Sequence, residues 1–161
     1  MNQANQTTLI DQLLLDQTSE AAAASPRRRK NYNFHTPEAE GANRLLNAVE
    51  PGSYIQPHRH FDPNKDETFV VVRGRFGLVL FDAAGGVART ATLVAGSAVV
   101  GANVPHGTYH TLVSLQPGSV FFEAKAGPFV PISDAERAPW APREGGPGAS
   151  EYLTELERLF R

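Results

Sequence analysis

Three histidines and one glutamate carry the strongest chemical signal in the chain. His58 and His60 flank Arg59, Glu67 follows after six residues, and His110 closes the segment Pro105-His106-Gly107-Thr108-Tyr109-His110. On an extended backbone, residues two apart point the same way, so the His58 and His60 rings face one side. Three neutral imidazoles and one carboxylate make up the usual donor set for a borderline divalent ion such as Fe, Mn, Zn or Ni. A lone His-x-His pair is more often two ordinary surface or core histidines. The regular frame raises this one above that reading: Gly52, five residues, His58-x-His60, six residues, Glu67, six residues, Gly74, and later Pro105-x-Gly107-x-x-His110.

Other polar side chains are candidates to act beside such an ion. Tyr54 and Gln56 share the parity of His58 and His60, and Gln56 is equally readable as a polar strand residue over a wet cavity. Glu123 and Lys125 alternate with Phe122 and Ala124, so two arrangements stay open. Either the charged pair faces water while Val120, Phe122 and Ala124 pack the core, or the pair points inward as acid, base or substrate anchor with shifted pKa values. Arg27 and Arg29 carry guanidinium forks suited to phosphate or carboxylate, although a basic stretch after a helix is often simply solvated. Asn33 and His35 would share a face if their segment adds an edge strand. His106 reads as an exposed turn residue.

Elements must position these groups. Thr8 with Asp11 resembles a capping box opening a helix that runs to about Ala23, with Leu9, Ile10, Leu13 and Leu14 on its apolar face. A second short helix is expected from Thr36, with Pro37, Glu38 and Glu40 in its first turn, docked by Leu45, Leu46 and Val49 and ended by Pro51-Gly52. From residue 53 to 127 the text becomes short β-like runs: SYIQPHRH, ETFVVVR, RFGLVLFD, VARTATLV, SAVVGAN, GTYHTLVSL and SVFFEAKAG. Turn residues separate them, which indicates a sandwich or barrel rather than alternating βαβ units. The proline-rich stretch 127–148, with Trp140 between two Ala-Pro steps, reads as an ordered wrap, and 150–160 has the spacing of a closing helix.

Composition narrows the classes. A chain of 161 residues, with 17 acidic and 15 basic side chains and no cysteine, fits one compact domain without disulfides or thiolate metal sites. The near-neutral charge offers no basic field for nucleic acid or membrane surfaces. The run from Thr90 to Phe122 lacks charged side chains, but its glycines and prolines mark strands and turns rather than a membrane span. No signal-peptide pattern opens the chain, and a cytoplasmic location is expected.

The frame of His58, His60, Glu67 and Gly74, with Pro105-x-Gly107-x-x-His110, resembles the two cupin motifs. Glu67 lies further from the His pair than is usual there, and Ser114 stands where cupins often have Asn. Further residues bring the likeness to the WbuC family of cupin-fold metalloproteins. They are Ser25-Pro26-Arg27-x-Arg29, Asn33-x-His35, Tyr54-x-x-Pro57-His58-Arg59-His60, Arg73-Gly74-Arg75-Phe76, Phe81-Asp82, His110-Thr111, Glu123-x-Lys125-x-Gly127-Pro128 and Ala138-Pro139-Trp140-Ala141-Pro142-x-Glu144. The resemblance spans most of the chain. It implies an all-β fold, a cupin-like double-stranded β-helix (a small β-barrel or jelly roll) with short helices at both ends. The layout expected is 1–24 as an N-terminal helical extension, 25–143 as the metal-binding domain and 144–161 as a helical tail.

It further implies one divalent metal ion (Fe, Zn, Mn or Ni) held by His58, His60, Glu67 and His110. Glu123, Lys125 and Tyr54 are the expected proton carriers, and Arg27, Arg29, Asn33, His35 and Gln56 the substrate contacts. The family's namesake lies among genes for bacterial surface-polysaccharide precursors and carries a tautomerase label. The expected activity is thus a tautomerase or isomerase acting on a sugar-like or anionic small molecule, without nucleic-acid or membrane partners. An Fe-dependent oxygenase and a non-catalytic binding or sensing cupin are the alternatives, and a homodimer through strand edges is an assembly open to the fold.

Overall fold

The structure is a computed structural model that describes residues 7–35 and 40–161. Within them, eight strands form two antiparallel sheets with a helix at each end. The elements are α1 (Gln12–Ala23), β1 (Arg29–Asn33), β2 (Ala42–Val49), β3 (Glu67–Arg73), β4 (Arg75–Phe81), β5 (Val87–Val94), β6 (Gly101–Val104), β7 (Tyr109–Ser114), β8 (Ser119–Ala126) and α2 (Ala149–Arg158). The larger sheet runs β1-β2-β8-β3-β6 and the smaller β5-β4-β7. The small barrel expected from the turn-punctuated runs is present, with its helices at the ends.

Three apolar layers hold it together. Between the sheets lie Val49, Phe69, Phe76, Leu78, Leu93, Leu112 and Phe121, with Phe121 making edge-to-face contacts to Phe69 and Phe76 at centroid distances of 5.5 and 5.1 Å. Outside the larger sheet, Leu15 and Ala22 of α1 pack on Leu46, Ala48 and Val120. Outside the smaller one, Leu153 and Leu156 of α2 pack with Val79, Phe81, Tyr109 and Val113. Both faces of each sheet's centre are therefore covered, which explains why β4 reads as an apolar run from Phe76 to Phe81 and why every residue of β7 is buried.

Several expectations change. The second helix does not form: residues 42–49 are a strand, and its expected start at 36–39 lies outside the described residues. The spacing of Leu45, Leu46 and Val49 fits a helix by itself. Pairing of β2 with β1 on one edge and β8 on the other decides otherwise, because it satisfies the backbone of β2 on both sides. In α1 the cap is Asp11, whose side chain accepts from Leu14 N at 2.9 Å, and Thr8 lies before the helix. The buried stripe is Leu15, Thr18, Ser19 and Ala22, whereas Leu9, Ile10 and Leu13 stay exposed. Residues 53–60 run as extended chain with only a bridge at His58, and 97–100 precede β6 rather than joining it.

The stretch 127–148 is an ordered strap. Trp140 packs at a tilt against Phe81 and edge to face with Tyr109, with centroids 4.8 and 5.8 Å away. Ala138 N donates to Pro57 O and Arg59 N to Glu136 O, both at 2.9 Å. On the opposite flank, His58 N donates to His110 O at 3.1 Å, and His110 N to His58 O at 2.9 Å. The His58–His60 segment is thus clamped between β7 and the strap.

Gly74 occupies a turn with φ +78°, and a Cβ there would sit 2.2 Å from Ser119 Oγ and 2.9 Å from Ser119 Cα. Gly74→Ala combines a left-handed cost of ~1–2 kcal/mol with an overpacking cost of ~1–3 kcal/mol. A calorimetric scan should show Tm lowered by roughly 5–15 °C, and an unchanged Tm would show that this turn relaxes freely.

Candidate metal centre

The inner face of the barrel changes character along its strands. On β8, Phe121 belongs to the core while Glu123 and Lys125 follow at the same parity. On β3, Val71 and Phe69 give way to Glu67, and on β7 Leu112 gives way to His110. Register aligns the changes: Val71 pairs with Phe121, Phe69 with Glu123 and Glu67 with Lys125. The question left open by parity on β8 is answered, because Val120 and Phe122 face α1 outside while Glu123 and Lys125 point into the barrel.

Glu67, 3 % exposed, is the hub. Its Oε2 lies 2.9 Å from His110 Nε2, its Oε1 lies 3.2 Å from His60 Nε2, and the Lys125 ammonium donates to Oε1. Burial alone would raise its pKa; hydrogen bonds from His110 and His60 and the charge of Lys125 outweigh it and hold the carboxyl well below the usual range. Each of His58, His60 and Glu67 offers one ligand atom within 4.8 Å of the others. His110 joins this cluster through its contact with Glu67, and its ring centroid lies 4.8 Å from that of His58.

The rings are oriented from behind. His58 Nδ1 lies 3.0 Å from Gln56 O and His110 Nδ1 lies 2.9 Å from Thr108 O. A proton on His58 Nδ1 leaves its Nε2 lone pair free, the usual arrangement behind metal-binding histidines, whereas His110 Nε2 faces Glu67 and would offer a lone pair to an ion only after giving up the proton it donates there. Burial, followed by the neighbouring His110, pushes the His58 pKa down to about 3, so this ring is neutral at physiological pH. His60 Nδ1 faces Glu136 Oε1 at 3.9 Å. A carboxylate and inward-facing imidazoles fit a borderline divalent ion, and the donors present suit the ion that the motif implies.

Beside the cluster opens a cavity of about 320 Å³, lined among others by His58, Glu67, His110, Glu123, Lys125 and Asn47. Asn47 Nδ2 donates to Glu123 Oε2 at 2.8 Å, and Lys125 Nζ donates to Glu123 Oε1 at 3.1 Å. Burial, with the charge of Glu67 next, pushes the Glu123 pKa up to about 7. For Lys125, burial pulls the ammonium down, but Glu123 and Glu67 together carry it above its ordinary value. Glu123 can therefore exchange a proton near neutrality while Lys125 stays charged.

Arg27 and Arg29 line the mouth of this cavity, and Glu144 from the strap holds both. Arg27 Nε lies 2.7 Å from Oε1, and Arg29 Nη2 lies 2.5 Å from Oε2. Asn33 and His35 line a second, adjoining cavity with Glu123 and Lys125. Tyr54 and Gln56 are not brought to either. The Tyr54 hydroxyl donates to Pro142 O at 2.8 Å, and Gln56 lines a separate cleft under the strap. Because residues 53–57 are not a regular strand, the parity that grouped them with the histidines does not hold there. His106 sits in an exposed pair with Asp66.

The residues that sequence reasoning missed are Asn31, Asn43, Asn47 and Glu136. Asn43-x-Leu45-x-Asn47 carries a two-residue alternation that a helical reading conceals.

The comparisons with known proteins agree with this fold. A family model described as "Domain of unknown function (DUF6016)" matches residues 10–93, just over half of the chain. The search of curated proteins finds no match. Among solved structures, the chain is similar to a conserved protein of unknown function from Streptococcus pyogenes, with TM-score 0.53 and 10% identity over 80% of this chain and 95% of that one. It is similar to a mutant of Bacillus subtilis oxalate decarboxylase, with TM-score 0.50 and 24% identity over 63% of this chain and 26% of that one. KdgF from Halomonas sp. matches with TM-score 0.49 and 23% identity over 64% of this chain and 82% of that one. The likeness is one of fold: the chain is a cupin-type barrel.

Hydrogen bonds from Arg27 and Arg29 overcome the effect of burial and hold the Glu144 pKa below its ordinary value of 4.5. A depressed folded-state pKa contributes stability above the unfolded value and loses it as pH falls through the folded one. Wild type should therefore exceed Glu144→Gln in denaturation midpoint near neutrality, and the gap should close as pH falls from about 5 towards 3. A gap constant across that window would show that the clamp makes no charge-dependent contribution.

Proposed function

The chain belongs to the DUF6016 family, whose description assigns no activity, so we propose from the site itself a metal-binding cupin that tautomerises or isomerises a sugar-like small molecule. The observation that carries this reading is one cavity with two walls. The imidazole–carboxylate cluster forms one, and a carboxyl titrating near neutrality, Glu123, forms the other. The WbuC-like motifs add the setting, bacterial surface-polysaccharide metabolism in the cytoplasm.

His58, His60, Glu67 and His110 would hold the ion. When bound, it supplies Lewis acidity to a substrate carbonyl or hydroxyl oxygen and so acidifies the adjacent C–H. Glu123 takes that proton on a carboxylate oxygen and returns it at the neighbouring position. Its pKa near the working pH suits both directions. Asn47 fixes the carboxyl by its hydrogen bond to Oε2, and Lys125 keeps a positive charge beside it. Arg27 and Arg29, whose two charges share the single carboxylate of Glu144, leave one net positive charge at the mouth for an anionic substituent.

Elemental analysis tests the centre. Wild type should carry about one divalent ion per chain and His58→Ala much less. Equal metal in both proteins would remove His58 from the ligand set. Proton transfer is read by incubating metal-loaded protein with sugars and keto-sugars in D₂O and following C–H deuteration by NMR. Glu123→Gln should slow exchange by ~100-fold or more at unchanged metal content, and exchange at the wild-type rate would strip Glu123 of its role.

A further inference from the structure

We propose that the second cavity is a hydroxyl-recognition chamber, which seats a neutral polyhydroxylated ring of the substrate beside Glu123 and Lys125. It deepens the sugar-directed reading of the same site and rests on it. The chamber, of about 240 Å³, is lined by Asn31, Asn33, His35, Asn43, Leu45, Glu123, Lys125 and Phe129. That size suits one small moiety rather than a whole extended ligand.

The inner face of three adjacent strands builds it. Asn31 pairs across with Asn47, Asn33 with Leu45, and Leu45 with Glu123, while Asn43 pairs with Lys125. Side chains of one parity from β1, β2 and β8 thus make a continuous carboxamide-rich wall leading to the candidate proton carrier.

Asn43 carries the inference. The residue is 3 % exposed, and its Oδ1 is buried with no hydrogen-bond partner among the described residues. A buried carbonyl left unpaired is destabilising, so an amide at this position calls for a donor from elsewhere, and a sugar hydroxyl supplies one. The complementary groups stand beside it. Asn31 Nδ2 donates to Asn33 Oδ1 at 2.6 Å, which orients both amides. Arg44 N donates to His35 Nδ1 at 3.0 Å. Nδ1 also lies 2.9 Å from Arg44 O, but a backbone N–H can only donate, so receiving it makes Nδ1 the ring's acceptor and puts the proton on Nε2. Amide donors, an amide acceptor and an imidazole N–H match the mixed donor–acceptor character of vicinal hydroxyls.

Charge argues against an anion in this chamber. Lys125 is already held by Glu67 and Glu123, and Glu123 itself forms part of the wall. An anionic substituent belongs at the Arg27–Arg29 mouth of the other cavity.

The test uses the full chain, both chelator-treated and Zn²⁺-loaded, with D-glucose, D-galactose, D-mannose and the dicarboxylate adipate as probes. Chemical shifts of the Asn31, Asn33 and Asn43 side-chain amides report occupancy. At least one hexose should move all three and adipate none. Asn43→Leu should weaken that hexose about tenfold while Tm holds or rises, because an unpaired buried amide is replaced by an apolar side chain of similar size. Asn43→Ala, which adds no bulk, should weaken it as well. Absence of hexose shifts in wild type, or wild-type affinity in either folded variant, overturns the chamber. Hexose shifts that persist in a protein that binds no metal leave the chamber standing and defeat only the metal-based function.

Discussion

A carboxylate in the barrel interior sets the terms for everything around it. Ionised Glu67 cannot be removed from water without donors and positive charge close by. The fold meets that demand from three directions: His110 on β7, Lys125 on β8 and His60 from the segment clamped by the strap. Strand register, the strap and the ring tautomers all converge on these few ångströms. Imidazole nitrogens that donate N–H groups to a buried carboxylate can, once deprotonated, share a cation with it, so the same few side chains suit either role.

The sheets divide the labour along their length. One end of the inner face is an aromatic core in which Phe69, Phe76 and Phe121 meet edge to face. The other end is polar, and Phe69 lies against His110 at 5.9 Å where the two regions join. That apolar floor accounts for the electrostatics. Burial depresses the His58 pKa to about 3 and lifts the Glu123 pKa to about 7, so the same apolar surroundings favour the neutral form of both groups.

The strap ties distant parts of the chain to the site. It hydrogen-bonds the backbone on either side of His58 through Glu136 and Ala138, places Trp140 over Phe81, and sends Glu144 to Arg27 and Arg29. A proline-rich stretch suits this work, because its restricted φ lowers the entropy lost on ordering.

Much was legible in the residues alone. Five of the β-like runs coincide with strands and a sixth, 97–103, overlaps β6 at its end, and the spacing of His58, His60 and Glu67 with His110 singled out the four side chains that the fold brings into one cluster. Context decided the rest. A segment such as 42–49, whose apolar spacing suits helix or strand, becomes a strand only when β1 and β8 offer it hydrogen bonds on both edges. The orientation of Glu123 and Lys125 could not be read from alternation, since α1 buries the outer face of β8 as the barrel buries the inner. Tyr54 and Gln56 lost their place at the site for the converse reason, as their segment lacks the regular pleat that parity assumes. Local sequence determined which groups can do chemistry and which stretches extend; only long-range pairing, which no short window contains, determined which of them share a cavity.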